Sequence, residues 1–406
     1  MKKLPIKSLI QFRSVSKSWR SLIDSSDFIA HYNRQQQQQQ QQQQHLLVRY
    51  HKIHPYVQNF VSFVDDDTFP QQKLHLTTPL LVNMLEISSI IGSSQGLLCL
   101  LGHYREVCDP ESELLVVWNI SIRKAIAVVV PYVGDKMYRN VLGFWVCSET
   151  NDPKIVKINT SSDMESISCI PRQVEVFTLS TGAWRSSYSN LPRKSVEFIG
   201  FCVMVEETLY WLAMDRIIMD DGFGYCNLIV SFDVTSEEFK EVKLPDTLAH
   251  EQHYQNLSVS KLRNSLVVVE LDEDEASYVV WMMEDGIISK SFTKLYSICT
   301  LDALIIGVLG FRKSGEPLVE FVENDCEPCF DSSVVVYERA SKCITNLGIK
   351  GTDISYSVSS YMETLLLLDR PNSIIYGKDK CFEAYEPGTE LMQHKMIFKL
   401  QDDLDS

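Results

Sequence analysis

Two short motifs are the places where this sequence could perform metal or redox chemistry. Cys326 and Cys329 form a Cys-x-x-Cys pair, and His250 and His253 lie three residues apart. A zinc site on the first pair needs a second pair of ligands, and a thioredoxin-like site needs a strand–helix–strand setting. A zinc protease needs His-Glu-x-x-His on a helix. The sequence supplies none of these, so we expect no catalytic residue, no metal and no cofactor.

Glycine-bearing and acidic stretches also lack the spacing of a catalytic site. No serine lies in a Gly-x-Ser-x-Gly turn, and no glycine pattern matches a nucleotide-binding loop. The stretch 92–96 precedes an apolar run of strand length, so we predict a turn there. Acidic clusters at 65–67, 272–275 and 402–403 are interpreted as solvated loop tips and chain ends, because surface charges gain little from one another. The alternative is that one of them faces a basic partner.

The composition limits the possible partners. The chain has 406 residues, 45% of them hydrophobic and 22% charged, which is typical of a globular protein with one to three domains. Its 38 Lys and Arg residues against 53 Asp and Glu give a net charge of −15. Such a surface repels phosphate backbones and anionic lipids, so we expect no nucleic-acid and no membrane partner. No apolar run approaches the roughly 20 residues needed to span a bilayer.

The eleven cysteines indicate a reducing environment. Their number is odd, the chain is large and its N-terminus lacks the apolar core of a signal peptide. Scattered thiols in such a chain are typically reduced and buried. We therefore expect all eleven to be free, and we expect the protein in the cytoplasm, the nucleus or both.

The first element that could form an interaction surface is an N-terminal helical segment, residues 1–34. Its apolar residues recur at steps of three and four, which places them on one helical face. These residues are Leu9, Phe12, Val15, Trp19, Leu22 and Ile23. Pro5 suits a first helical turn, where its missing N–H costs nothing. We predict that this helix ends at 24–26 and that a second, short helix runs through Tyr32.

A run of ten glutamines, 35–44, separates this segment from the rest of the chain. Polyglutamine cannot bury apolar surface, so we interpret residues 35–45 as a flexible or partly helical linker. Because a flexible linker does not fix a packing partner, we expect the apolar helical face to be covered by another protein and not by this chain's own second domain.

Residues 46–376 consist of short apolar runs rich in β-branched and aromatic residues, divided by polar turns. Five hairpins share one pattern, and their aligned aromatic residues are 49–59 residues apart; they are Trp118, Phe177, Phe232, Trp281 and Tyr337. A period near 50 is that of kelch-type propeller blades of four strands each. We therefore predict a mainly β protein in which a kelch-like β-propeller follows the helices; an irregular β-sandwich is the alternative. Residues 377–406 are predicted to be a loosely packed polar tail.

The N-terminal sequence resembles the second half of a plant F-box. LPIKSLIQFRSVSKSWRSLI (4–23) is similar to the family pattern LPxKSLxxFRxVSKSWRSLI. The pattern normally begins earlier, with a helix of the type LPxEIxxEIL, so we interpret the F-box as truncated at its N-terminus and expect weaker adaptor binding than in a full-length relative.

The resemblance continues into the β region. IIGSSQGLLCL (90–100), VVWNISIRK (116–124) and GFWVCSETNDPKIVKI (143–158) are similar to signatures of the type 1 F-box-associated domain. Two departures are Ile120, where the family has proline, and Pro153, where it has tyrosine.

The resemblance implies a non-catalytic receptor. The F-box would bind a Skp-type adaptor and, through it, a cullin-based ubiquitin ligase, while the β-domain would hold an unknown target protein for ubiquitination. The residues that the resemblance and the helical pattern assign to the adaptor contact and the packing beneath it are Leu4, Pro5, Leu9, Phe12, Val15, Trp19, Leu22 and Ile23. The alternatives are a binding module that has lost the adaptor and a propeller enzyme or sugar binder, which would need convergent carboxylates or metal ligands.

Overall fold

The protein is represented by a computed structural model. It describes residues 4–39, 44–52, 57–104, 113–131, 138–161, 173–187, 192–193, 195–219, 222–285, 290–299, 303–323, 331–352, 354–371, 374–377 and 381–383. Its helices are α1 (Ile6–Arg13), α2 (Lys17–Ile23), α3 (Ser26–Gln39) and α4 (Leu80–Asn83). A π-helical turn (Thr247–Glu251) and a 3-10 turn (Tyr254–Asn256) lie later in the chain.

The remaining elements are strands arranged in six sheets. Sheet one contains β4 (Leu85–Ser94), β5 (Leu97–Tyr104), β6 (Glu113–Asn119) and β7 (Lys124–Val129), extended by β25 (Ile374–Tyr376) and β26 (Cys381–Glu383). Sheet two contains β8 (Tyr138–Val146), β9 (Pro153–Ser161), β10 (Val174–Thr178) and β11 (Ala183–Ser187). Sheet three contains β12 (Val196–Val205), β13 (Thr208–Met219), β14 (Gly222–Asp233) and β15 (Glu238–Lys243).

Sheet four contains β16 (Leu257–Leu262), β17 (Ser265–Asp272), β18 (Ser277–Asp285) and β19 (Lys290–Ile298). Sheet five contains β20 (Ala303–Phe311), β21 (Pro317–Glu323), β22 (Asp331–Tyr337) and β23 (Ile344–Thr352). Sheet six combines β24 (Ser357–Tyr361) from the end of the chain with β1 (Gln44–Lys52), β2 (Val57–Asp65) and β3 (Lys73–His75) from its beginning.

The six sheets form a ring. Their first strands, β4, β8, β12, β16, β20 and β24, contact one another in that order, and β24 returns to β4. This arrangement is a six-bladed β-propeller, so the predicted mainly β architecture is confirmed. The five hairpins predicted from the sequence form the third and fourth strands of blades one to five. Their five aromatic residues lie on the third strands.

The core lies between neighbouring blades, where apolar residues of two sheets interdigitate. Between blades two and three, Trp145 packs edge-on against Phe232 at a centroid distance of 5.8 Å, and Phe198 packs edge-on against Trp211. Large buried rings contribute strongly to such interfaces, because each removes much apolar area from water.

The ring is closed by pairing the two ends of the β region. Residues His45 to Arg49 of β1 pair with Ser357 to Tyr361 of β24 in antiparallel register. The His45 ring stacks on Tyr361 at 5.0 Å. Asp65, at the end of β2, ties this blade to blade five by accepting from Arg312 Nε at 3.0 Å and from the Lys313 backbone N–H at 2.7 Å.

The structure corrects the predicted role of Asp65. The sequence predicted a solvated loop tip at 65–67, whereas Asp65 is buried and ion-paired between two blades. The cluster 272–275 lies at the turn between β17 and β18, where Glu273, Asp274 and Glu275 are exposed as predicted. The third cluster, 402–403, lies outside the described residues. The turn predicted at 92–96 is present at Gln95 and Gly96, between β4 and β5.

The element limits also differ from the prediction at both ends of the propeller. The predicted linker 35–45 contributes Gln35–Gln39 to the end of α3, and Gln44 and His45 to the start of β1. At the other end, the short strand β26 lies within the stretch predicted as a tail. Within the described part of the chain, no helix has the length and apolarity required to cross a bilayer.

Six cysteines in the described part of the chain are free: Cys99, Cys147, Cys202, Cys226, Cys299 and Cys343. The Cys326–Cys329 pair lies outside the described residues, and the expectation that all eleven thiols are free stays a prediction.

We predict that ring closure weakens in mild acid because of His51. Burial, and secondly the neighbouring Arg49 charge, lower the pKa of His51 from 6.5 to about 4. The unfolded chain therefore binds a proton before the folded chain does, and stability falls as the pH drops from about 6.5 to about 4.

Thermal unfolding at pH 7 and pH 5 checks this prediction. His51→Gln should show a smaller loss of Tm between the two pH values than the native chain. An equal loss in both proteins would contradict it.

Candidate protein-interaction surface

Helices α1, α2 and α3 form a helical unit at the N-terminus. The sequence predicted one helix up to Ile23, but the structure contains a break between α1 and α2. The break occurs at Ser16, whose backbone is extended and whose side-chain oxygen accepts from the Trp19 N–H at 3.1 Å. Serine at this position starts a new helix, because its side chain replaces a missing backbone acceptor. The predicted apolar face is therefore divided between two helices.

The inner face of the helical unit packs on the propeller. Leu9 and Ile23 are fully buried in a cluster with α3 and with the segment that follows β24. The other buried members of this cluster are Ile6, Phe28, Ile29, Tyr32, Leu365 and Leu368. The backbone N–H of Leu365 also donates to Asn33 Oδ1 at 3.0 Å. The expectation that the chain's own propeller leaves the helical face uncovered is therefore wrong for Leu9 and Ile23.

The segment after β24, residues 362–368, is itself held tightly against blade one. Asn119 Nδ2 donates to the carbonyls of Thr364 at 3.0 Å and Leu366 at 2.7 Å. Gly96 has φ +83°, and a Cβ there would lie 2.3 Å from the Met362 carbonyl oxygen. Because the turn and the segment approach so closely, only glycine fits at this position.

The outer face of the helical unit carries a separate set of apolar side chains, which we call the outer apolar surface. It consists of Phe12 (38% exposed), Val15 (67%), Trp19 (36%) and Leu22 (48%). The rings of Phe12 and Trp19 stack at a centroid distance of 5.6 Å and an interplanar angle of 23°. Clustered exposed apolar residues on a soluble protein typically mark an interaction site.

Ion pairs fix the relative positions of α1 and α2. Arg13 donates to both carboxylate oxygens of Asp24, at 2.5 and 2.7 Å, and Arg20 Nε lies 3.7 Å from the same carboxylate. A bidentate arginine pair restrains geometry more than a single contact does. Next to this pair, burial lowers the pKa of Lys124, whose Nζ donates to the Leu368 carbonyl at 2.8 Å; nearby Arg13 lowers that pKa further.

The eight predicted site residues therefore fall into two groups. Phe12, Val15, Trp19 and Leu22 are exposed, whereas Leu9 and Ile23 are buried in the inner cluster. Leu4 is half-buried beside the inner cluster, and Pro5 is exposed at the N-cap of α1, one residue before the predicted first turn.

Sequence reasoning missed the partners of the inner face, Leu365 and Leu368. They are far from the helices in sequence. The four consecutive leucines of the run Leu365–Leu368 would place apolar side chains on both sides of an extended segment, which could have indicated full burial.

The histidine motif shows no catalytic arrangement. His250 and His253 are exposed in the connection between blades three and four, and His250 Nε2 lies 3.9 Å from Cys226 Sγ. Burial raises the pKa of that thiol, which is the opposite of activation. Among the residues that the structure describes, no group of three or more His, Cys, Asp or Glu side chains could hold a metal ion.

Comparison with known families decides the classification. The F-box associated beta propeller domain matches residues 44–358, and the F-box domain matches residues 1–31. The chain belongs to the F-box associated β-propeller family. The F-box protein CPR1 of Arabidopsis thaliana is 23% identical over 401 residues, covering 93% of this chain and 90% of that protein. F-box protein At4g22390 of the same plant is 24% identical, covering 89% and 86%.

Similarity to solved structures is lower. The β-propeller domain of the Trilobed protease from Pyrococcus furiosus is 13% identical, with a TM-score of 0.36, covering 74% of this chain and 79% of that one.

We predict that Leu365→Ala loosens the helical unit without unfolding the propeller. The residue is fully buried, and truncating such a leucine typically costs about 2–5 kcal/mol. Because Leu365 packs on α1 to α3, amide hydrogen exchange should accelerate in residues 6–39 and stay slow in β5 and β9. The matched control is Leu74→Ala, since Leu74 is exposed on β3. Unchanged exchange in the helices would contradict the packing.

Proposed function

We propose that this F-box propeller chain is the substrate-recognition subunit of an SCF-type ubiquitin ligase. Its outer apolar surface binds a Skp-type adaptor, the adaptor connects it to a cullin, and the propeller holds a target protein. The protein works in the cytoplasm, the nucleus or both. The F-box match at residues 1–31 and the similarity to plant F-box proteins support such a role in general.

The observation that carries this proposal is the division of the helical unit into two faces. The inner face is covered by the propeller, whereas Phe12, Val15, Trp19 and Leu22 are exposed, and Phe12 stacks on Trp19. An aromatic pair on a rigid element resembles a binding hot spot, because it offers a large contact area with few rotamers to restrain. The Phe12–Trp19 stack joins α1 to α2 and still leaves more than a third of each residue exposed, so a partner is the natural cover.

The mechanism is proximity and requires no chemistry from this chain. A receptor that fixes the target near a ubiquitin-charged enzyme raises the effective concentration of the target's lysines. Fixing the helical unit on the propeller, as Leu365 and Leu368 do, restricts the distance between adaptor and target.

We predict that Trp19→Ala or Phe12→Ala strongly weakens adaptor binding. Truncating an aromatic hot spot commonly costs about 2–4 kcal/mol, or a roughly 30- to 1000-fold rise in Kd. Calorimetric titration of the purified chain with a Skp-type plant adaptor measures the Kd. Both variants should keep the native Tm, because the two side chains contribute little to the chain's own core.

The matched control is again Leu74→Ala, an exposed apolar residue on the propeller that should leave the Kd unchanged. Equal adaptor affinity for the native chain and both aromatic variants would contradict the proposal.

A further inference from the structure

The two faces of the propeller differ in what they carry. In antiparallel blades, the connections between strands one and two and between three and four lie on one face, and the remaining connections lie on the other. Ile122, in the turn between β6 and β7, packs against the helical unit, which places that unit on the first face. Ile354 connects the last strand of blade five to the first strand of blade six and therefore lies on the opposite face.

Ile354 is the most exposed large apolar residue in the described part of the chain, at 81%. Two further exposed apolar side chains, Leu304 and Val57, lie at strand ends on the same face of blades five and six. Hydrogen bonds bring the Ile354 loop to the end of β1, which pairs with Val57: Thr352 Oγ1 donates to the His51 carbonyl at 3.4 Å, and the His51 N–H donates to Ser355 Oγ at 3.3 Å.

The backbone of Ile354 is held in a costly conformation. Its φ of +56° is in the left-handed region, which is rare for a β-branched residue. A buried carboxylate, Glu320, maintains this conformation by accepting from the Ile354 N–H at 2.8 Å, and it also accepts from the Ser332 hydroxyl at 2.7 Å. Glycine or asparagine would adopt this backbone at lower cost. Because an isoleucine that is 81% exposed gains little from packing inside the chain, its use is external.

Charged residues near the loop bear on the choice of partner; one of them, Asp331, begins β22 and pairs in register with Thr352. Lys52 ends β1 and Lys350 lies near the end of β23; both are exposed. Glu320 is buried and already bonded, and His51 is uncharged at neutral pH because burial lowers its pKa. Asp353 lies outside the described residues. In a chain of net charge −15, two exposed lysines beside an apolar tip favour carboxylates in the partner.

We infer that Ile354, with Val57, Leu304 and the two lysines, forms a docking site for a target-protein segment that carries an apolar side chain flanked by Asp or Glu. This inference rests on the proposed function, because it names the chemistry of the target. The adaptor and the target then bind opposite faces of the ring.

Selection of a random peptide library on the full chain tests this inference. The enriched peptides should carry a Leu, Ile or Phe next to acidic residues, and one such synthetic peptide serves as the probe in fluorescence anisotropy. Ile354→Asn should weaken its binding about 5- to 150-fold, since one lost apolar contact costs about 1–3 kcal/mol. Lys52→Glu together with Lys350→Glu should also weaken it.

The Tm of the Ile354 variant shows whether this residue has a binding role or a structural one. Ile354→Asn should leave the Tm unchanged or raise it by about 1–3 °C, because asparagine fits the left-handed backbone. Leu74→Asn is the matched control and should not affect the peptide. Equal peptide affinity for native chain and Ile354→Asn, or selection of basic peptides, would overturn the inference.

Measuring adaptor and peptide binding on the same variants distinguishes failure of the proposed function from failure of this inference. Phe12→Ala should lose the adaptor and keep the peptide, whereas Ile354→Asn should lose the peptide and keep the adaptor. Loss of both ligands in both variants would contradict the separation of the two faces.

Discussion

The pairing of β1 with β24 is the constraint on which the rest of this structure depends. His45 lies opposite Tyr361, so the start of β1 and the end of β24 meet on the same face of the ring. The chain before β1 forms α3, and the chain after β24 forms the segment containing Leu365 and Leu368. Ring closure therefore brings these two parts together, and their contact fixes the helical unit on the propeller.

Local sequence patterns were sufficient for much of this architecture. The aromatic residues of five hairpins repeat at nearly one blade length, because each hairpin packs one ring into the interface with the preceding blade. The apolar steps from Leu9 to Ile23 likewise indicated helix. These features depend on residues that are close in sequence, so they can be predicted from one amino-acid sequence.

Long-range pairing accounts for what the sequence could not predict. The sequence predicted Asp65 as part of a solvated acidic cluster. In the structure, Asp65 forms a buried ion pair with Arg312 of blade five. The break at Ser16 was hidden because an N-cap serine inside an amphipathic pattern keeps the apolar spacing. The covering of Leu9 and Ile23 depends on Leu365 and Leu368, which lie at the other end of the chain. Phe12 and Trp19 were predicted on one helical face with Leu9 and Ile23, but they lie on two helices and stack on each other, while Leu9 and Ile23 are buried.

The central claim is that the outer apolar surface is open in the free chain and covered by the adaptor. Hydroxyl-radical footprinting, read by mass spectrometry at individual side chains, tests it most directly. In the free chain Trp19 and Phe12 should be oxidised readily, while Tyr32, which is buried against the propeller, should be protected. Adding a Skp-type adaptor should protect Trp19 and Phe12 and leave Tyr32 unchanged. Trp19 that stays equally reactive at saturating adaptor, or Tyr32 as reactive as Trp19 in the free chain, would contradict the account.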